Sequence, residues 1–246
     1  MKLLAFDTST DVMSVAVTDG RRVWQHSGPG AAQSSATLIP AILDLLAQAG
    51  LTLAELDALA FGRGPGSFTG LRTACSVAQG LALGANEGAG LQVLPIDTLL
   101  AVAEEARFQR ASQDETSPLQ VTALLDARMD EMYVQRFVFG SGQWAALTGC
   151  TLIRPENLLL APADRLLAGN VFGVYAARLP ARPEGVPCVD ALPTATAMLR
   201  LAPALLAGGQ GVNAALALPL YIRDKVALTT EERAGVKARA ALATPP

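Results

Sequence analysis

Histidine is nearly missing from this 246-residue chain: His26 is the only one. One imidazole cannot supply a pair of metal ligands on a helix face, and a serine or cysteine nucleophile would have no base unless His26 happened to reach it. His26 reads as an ordinary surface or strand-end residue. Cysteine is also sparse. Cys75, Cys150 and Cys188 are far apart, odd in number and without CxxC spacing, which argues against a disulfide scaffold and fits free thiols in a reducing compartment. Basic residues are not in excess. With 19 Lys and Arg against 22 Asp and Glu, the net charge of -3 argues against a face that holds nucleic acid unaided, so any RNA would have to be held by a partner. Long apolar runs are missing too. The longest uncharged run, Leu201 to Ile222, is broken by Pro203, Pro219 and Gly208-Gly209-Gln210-Gly211, which rules it out as a membrane span, and Asp7 interrupts the N-terminus too early for a signal peptide. A soluble, cytoplasmic protein is expected.

What is present is a hydrophobic fraction of 51%, enough for one large or two small cores. Leu3 to Phe6 reads as a strand ending at the turn-prone Asp7-Thr8-Ser9-Thr10-Asp11, Val12 to Val17 as the returning strand, and Asp19-Gly20 as a second hairpin leading into Arg21 to Gln25. Residues Leu38, Ile39, Ile42, Leu43, Leu45, Leu46 and Ala49 fall at helical spacing but cover more than one face, so this helix needs its own sheet and something else to pack against. Pro40 is expected in its first turn and Gly50 at its end. Ala58 to Gly62 then reads as a strand, Gly64-Pro65-Gly66 as a tight loop, and Ser67 as the cap of a helix running to Leu83 with Phe68, Leu71, Cys75, Ala78 and Leu81 along one stripe. Such a helix start favours an anion, but no lysine follows Gly70 and Thr69 stands where GxGxxG would have its third glycine. A plain strand-to-helix corner is the simpler reading.

A strand at Leu91 to Ile96 and a helix at Thr98 to Arg107, capped by Asp97 or Thr98, complete a first half. After the polar stretch Gln109 to Pro118 the opening pattern recurs: Val121 to Asp126, a turn through Asp130, then Glu131 to Phe139, with paired aspartates four apart in both copies. A strand near Gln143 to Ile153, a short helix from Pro155, a strand about Asn170 to Val174 and a helix from Thr196 to Leu206 follow. The expected organisation is an α/β fold of two duplicated β-meander plus helix subdomains, 1–108 and 119–228, with a flexible tail over 229–246. This is the plan of the actin, hexokinase and Hsp70 ATPase superfamily, in which two halves face each other across a cleft; the plan alone fixes no function.

Gly62-Arg-Gly64-Pro65-Gly66-Ser67-Phe68-Thr69-Gly70-Leu-Arg72 resembles the bacterial TsaB family, also called YeaZ, and so do Leu4 to Thr10, Ser76 to Leu83, Asp126 to Met129 and Pro219 to Val226. The resemblance implies a non-catalytic scaffold that pairs with a catalytic paralogue, TsaD, and the ATPase TsaE to form threonylcarbamoyladenosine beside the anticodon of tRNAs reading codons that begin with A. It implies tRNA contact only through the complex, a homodimer when alone, and no cofactor unless a nucleotide sits at the partner interface. The two early helices would form a four-helix bundle with the partner, and the expected interface residues are Leu38, Ala41, Ile42, Leu45, Leu46, Ala49, Leu71, Ala74 and Ala78. Leu38→Arg or Leu45→Arg is expected to weaken that pairing. Many relatives carry His-Ser where this chain has Ser34-Ser35. The paralogue's His-x-x-x-His metal pair falls on Thr98 and Val102, which cannot replace imidazole. Asp7, Thr8, Ser9, Asp126 and Arg128 are expected to line a vestigial cleft, where the two aspartates either face a metal-nucleotide or cap turns; no glycine follows Asp7, and Arg128-Met129 brings bulk. The competing reading is an enzyme of the same superfamily, metallopeptidase-like or ATP-using.

Overall fold

The computed structural model describes residues 1–85, 90–110 and 118–223, so residues 224–228 and the expected tail 229–246 lie outside the described residues, as do 111–117 of the polar stretch between the halves. Five strands, β1 (Leu3–Asp7), β2 (Val12–Thr18), β3 (Val23–Pro29), β4 (Ala58–Gly64) and β5 (Val93–Asp97), form one sheet in the order β3-β2-β1-β4-β5. β1, β2 and β3 are an antiparallel meander; β4 and β5 join in parallel. β1 lies mid-sheet with all five residues buried, which is why its sequence is a nearly unbroken apolar run rather than an alternation.

The second sheet repeats this plan. β6 (Leu119–Asp126), β7 (Met132–Gly140), β8 (Gln143–Ala146), β10 (Leu166–Gly169) and β11 (Cys188–Asp190) run in the order β11-β10-β6-β7-β8, antiparallel through the meander and parallel beyond it; β9 (Thr151–Ile153) pairs separately with β7. Strand for strand, β6, β7, β8, β10 and β11 stand where β1, β2, β3, β4 and β5 stand. The duplicated meander expected of the superfamily is present in both halves.

Helices distinguish the halves. α1 (Ser34–Ala49) and α2 (Phe68–Gly84) cover one face of the first sheet, packing on β2, β3 and β4. α3 (Thr98–Arg110) and α4 (Ala195–Ala207) pack on each other between the sheets, α3 chiefly on β6 and β10, α4 on β1 and β2. α4 therefore covers the first sheet although it follows the second in sequence. Among the described residues no α-helix covers the outer face of the second sheet; Leu124, Met132, Val134 and Leu167 are covered there by Leu158, Val171 and Tyr175 from irregular connections.

Several local expectations are corrected. α1 begins at Ser34, so Pro40 lies inside the helix rather than in its first turn. Pro40 and Ala36, whose carbonyl loses its donor there, are both exposed, so water can replace the missing bond. Residues 143–153 form two strands, interrupted at Leu147–Cys150, because β8 and β9 pair with opposite ends of β7. The strand expected at Asn170 to Val174 lies at Leu166–Gly169 instead, and β11 was not expected. Asp97 pairs with Arg63 and the buried Thr98 hydroxyl has no partner among the described residues, so neither side chain is seen to cap α3.

Candidate functional site

The two halves meet at a cleft of about 310 Å³, walled on one side by Ser9, Gly66, Ser67 and Phe68 and on the other by Asp126, Arg128 and Asn170. On the first side the β1–β2 turn is pressed into the glycine loop. The Thr8 hydroxyl donates to the Gly70 carbonyl at 2.7 Å, and the Ser67 amide donates to the Ser9 carbonyl at 2.7 Å. A Cβ on Gly70 would stand 1.8 Å from the Thr8 carbonyl oxygen and one on Gly66 would stand 2.6 Å from Ser9, so this approach requires glycine. Ser67 caps α2 through the Gly70 amide at 3.5 Å.

Asp7 is fully buried beneath this corner. Its Oδ1 accepts from the Ser9 amide at 2.8 Å and the Ser9 hydroxyl at 2.6 Å, whereas its buried Oδ2 has no partner among the described residues. A Cβ on Gly62 would be 1.8 Å from that Oδ2. Burial pushes the carboxyl up to about 7, outweighing the hydrogen bonds from Ser9. On the opposite wall the Asp126 Oδ1 accepts from the Arg128 amide at 2.9 Å and the Tyr175 hydroxyl at 2.8 Å. Arg128, Met129 and Asp130 all have left-handed backbones, with φ of 59°, 57° and 61°. For residues with a Cβ this costs about 1–2 kcal/mol apiece, so the turn must be held from outside.

The hold comes from a strap of residues 220–223. The Leu220 amide donates to the Arg63 carbonyl at 2.7 Å, the Tyr221 ring lies 5.1 Å from the Phe68 ring, and Arg72 sits 3.7 Å over Phe68 while donating to the Tyr221 hydroxyl. At the far end the Arg223 guanidinium donates to the Ala127 and Arg128 carbonyls and to the Glu131 carboxylate. Arg128 crosses the cleft mouth to Asp11. Tyr221 and Arg223 belong to the distinctive stretch from Pro219, and their late position in the chain hid that they close this cleft. Asp11 and Arg72 were likewise not singled out as site residues.

The Thr8 hydroxyl and the Ser67 amide are paired inward, Asp7 faces Gly62 rather than the opening, and Arg128 is held by carboxylates. A phosphate is held by several convergent donors, and two of those at this corner are taken up internally. Thr98 and Val102 are buried, His26 is exposed on β3, and among the described residues no cluster of three His, Cys, Asp or Glu is placed for a metal.

The expected interface residues are placed differently from the reading above. Leu38, Ile42, Leu45, Leu46, Ala74 and Ala78 form the core between α1, α2 and the first sheet, Leu71 is buried beside it, and Ala41 and Ala49 are half-buried against it. Spacing identifies the helical stripe but not which side of it faces outward, and the residues expected at the interface lie on the inward side. The outward stripe of α1 is Ala36, Ile39, Leu43 and Ala47, with Ile39 44% and Leu43 52% exposed; α2 presents Ser76, Gly80 and Leu83.

Known proteins place this architecture. The family model TsaD, described as tRNA N6-adenosine threonylcarbamoyltransferase, matches residues 29–180. The tRNA threonylcarbamoyladenosine biosynthesis protein TsaB of Haemophilus influenzae is 34% identical over 238 residues, which cover 92% of this chain and 95% of the relative. The chain belongs to the TsaB family. TsaB of Escherichia coli is 32% identical over 92% of the chain and 96% of its own length. The solved structure of YeaZ from Pseudomonas aeruginosa superposes with a TM-score of 0.76 at 38% identity, covering 89% of this chain and 99% of that one. The TsaB-family assignment carries the actin, hexokinase and Hsp70 fold class with it, and the glycine loop, the paired Asp turns and the strap are how this member builds its cleft.

Proposed function

We propose that this chain acts in the formation of threonylcarbamoyladenosine in tRNA as a non-catalytic subunit, docking through α1 and α2 onto the catalytic paralogue TsaD and working with the ATPase TsaE. The observation that carries the reading is the pairing of Thr8 with Gly70 and Ser67 with Ser9, which presses the β1–β2 turn against the glycine loop and takes up two of the donors at the corner where a phosphate would sit. A cleft arranged in this way favours a scaffold over an ATP-using enzyme, and a single exposed histidine favours it over a metallopeptidase. No cofactor of its own is required, and tRNA is engaged through the complex.

The docking surface is the outward stripe of Ile39, Leu43 and Leu83 around the small residues Ala36, Ala47, Ser76 and Gly80. Small residues between large apolar ones let a second helix pair approach closely. A Cβ on Gly80 would meet nothing within 4 Å, so the space above it belongs to solvent or to a partner. A stable pairing of this kind buries roughly 1,500 Å² in total. The same stripe serves a homodimer when the paralogue is lacking.

Leu43→Arg tests this. The side chain is exposed, so the variant folds, while a charge buried against a partner helix lowers affinity at least about tenfold. Reduced co-elution with the catalytic paralogue and reduced threonylcarbamoyladenosine in tRNA nucleosides are expected. Unchanged co-elution would refute the docking face, and normal tRNA modification with the protein omitted would refute the role.

A further inference from the structure

The outer face of the second sheet, covered by no α-helix among the described residues, lies beneath an open-mouthed cavity of about 360 Å³ under the connections between residues 158 and 188. Leu124 and Leu167 from β6 and β10 form its floor; Leu158, Leu160, Phe172 and Leu179 form its walls. Its polar side chains are two neighbours at the rim, Arg182 and Cys188. The exposed Arg182 donates through Nη1 to the Val186 carbonyl at 3.3 Å and to the Cys188 sulfur at 3.2 Å. Its Nε and Nη2 make no hydrogen bond, and no carboxylate lies within ion-pair distance of it, among the described residues. Burial raises the Cys188 thiol above its usual value despite the lowering influence of Arg182, so the sulfur stays neutral and does not cancel the guanidinium charge.

An apolar chamber with one uncompensated guanidinium at its mouth has a definite chemical complement. Apolar walls exclude a sugar or a polyphosphate, and the planar fork left free at Nε and Nη2 matches a carboxylate held by two parallel bonds. The volume falls at the small end of ligand pockets, roughly 300–1,000 Å³. We propose that this cavity binds a small amphipathic anion, an apolar chain or ring of about eight to ten carbons ending in a carboxylate held by Arg182. The site lies on the second half and stands independently of the docking role of α1 and α2.

Isothermal titration calorimetry of the full chain with decanoate, below its micelle concentration, tests the assignment, with 1-decanol as the uncharged probe. One saturable decanoate site is expected. Arg182→Gln should weaken decanoate about tenfold and leave decanol unchanged, because only the charged pair is lost. Ala176→Trp, at an exposed position on the rim, should fill the chamber and abolish binding of both without unfolding the protein. Absence of saturable decanoate binding to the unaltered chain, equal affinity for decanol and decanoate, or full binding by Ala176→Trp would each overturn the proposal.

Discussion

Asp7 has one carboxylate oxygen satisfied by Ser9 and the other sealed against Gly62 without a partner among the described residues. Its carboxyl is pushed up to about 7 by burial, whereas an unfolded aspartate titrates near 4. The folded state therefore binds this proton more tightly than the unfolded state. The stability that results is fully present below about pH 4, is lost as pH rises to about 7, and changes no further above that. A gap of about three pH units corresponds to roughly 4 kcal/mol. Asp7→Asn keeps an acceptor for Ser9 and carries no charge. Urea unfolding at pH 4 and pH 8 should find the variant close to the parent at the lower pH and a few kcal/mol more stable at the higher. The same offset at both values would mean that Asp7 does not ionise across this interval.

Among elements, α1 was the most fully legible in sequence and the most misleading. Its apolar residues outnumber what one sheet can cover, and Ile39 and Leu43 are left exposed, yet periodicity cannot say which of two apolar stripes faces the sheet. Leu38 and Leu45 are in the core, so an arginine there removes a buried leucine and buries a charge. Leu45→Arg is expected to destabilise the fold by more than about 4 kcal/mol, and Leu43→Arg by less than about 1. Thermal melting of the two variants checks this before either is used in a binding assay. The strands of the first half and the β6–β7 hairpin were readable because their alternation and turn residues are local. β10 and β11 were not, because they are short and their pairing depends on β6, some 45 residues earlier in the chain for β10. Asp7, beneath the cleft, and Asp126, on its wall, announced themselves by their repeated spacing; the strap that crosses it did not, since nothing near Tyr221 or Arg223 encodes the distant Phe68 or Glu131.

At the level of the whole molecule, the halves are joined through the buried Glu104 on α3. Burial alone would raise its carboxyl, but bonds from Arg107, Trp144 and Arg200 hold it below its ordinary value. Those donors come from α3, β8 and α4, so one carboxylate ties the second sheet to both helices of the pair, the second of which covers the first sheet. Glu104→Ala would remove the acceptor that Arg107, Arg200 and Trp144 share, leaving Arg200 its bond to Glu105 and Arg107 its place over Phe139. A loss of about 2–3 kcal/mol is expected in chemical denaturation, beyond the cost of an exposed ion pair. A loss under about 1 kcal/mol would show that the halves are held by packing alone.

The exchange of helices also bears on how the chain is made. Leu3, Ala5, Ala16, Ala58 and Ala60 are covered by Met198, Leu201 and Ala202 of α4, so one face of the first sheet stays uncovered until the chain has been made as far as α4, well over a hundred residues later. During synthesis the growing chain thus carries an open apolar sheet face, which makes it a natural client for chaperones that shield nascent polypeptides and a poor candidate for being cut into separately expressed halves.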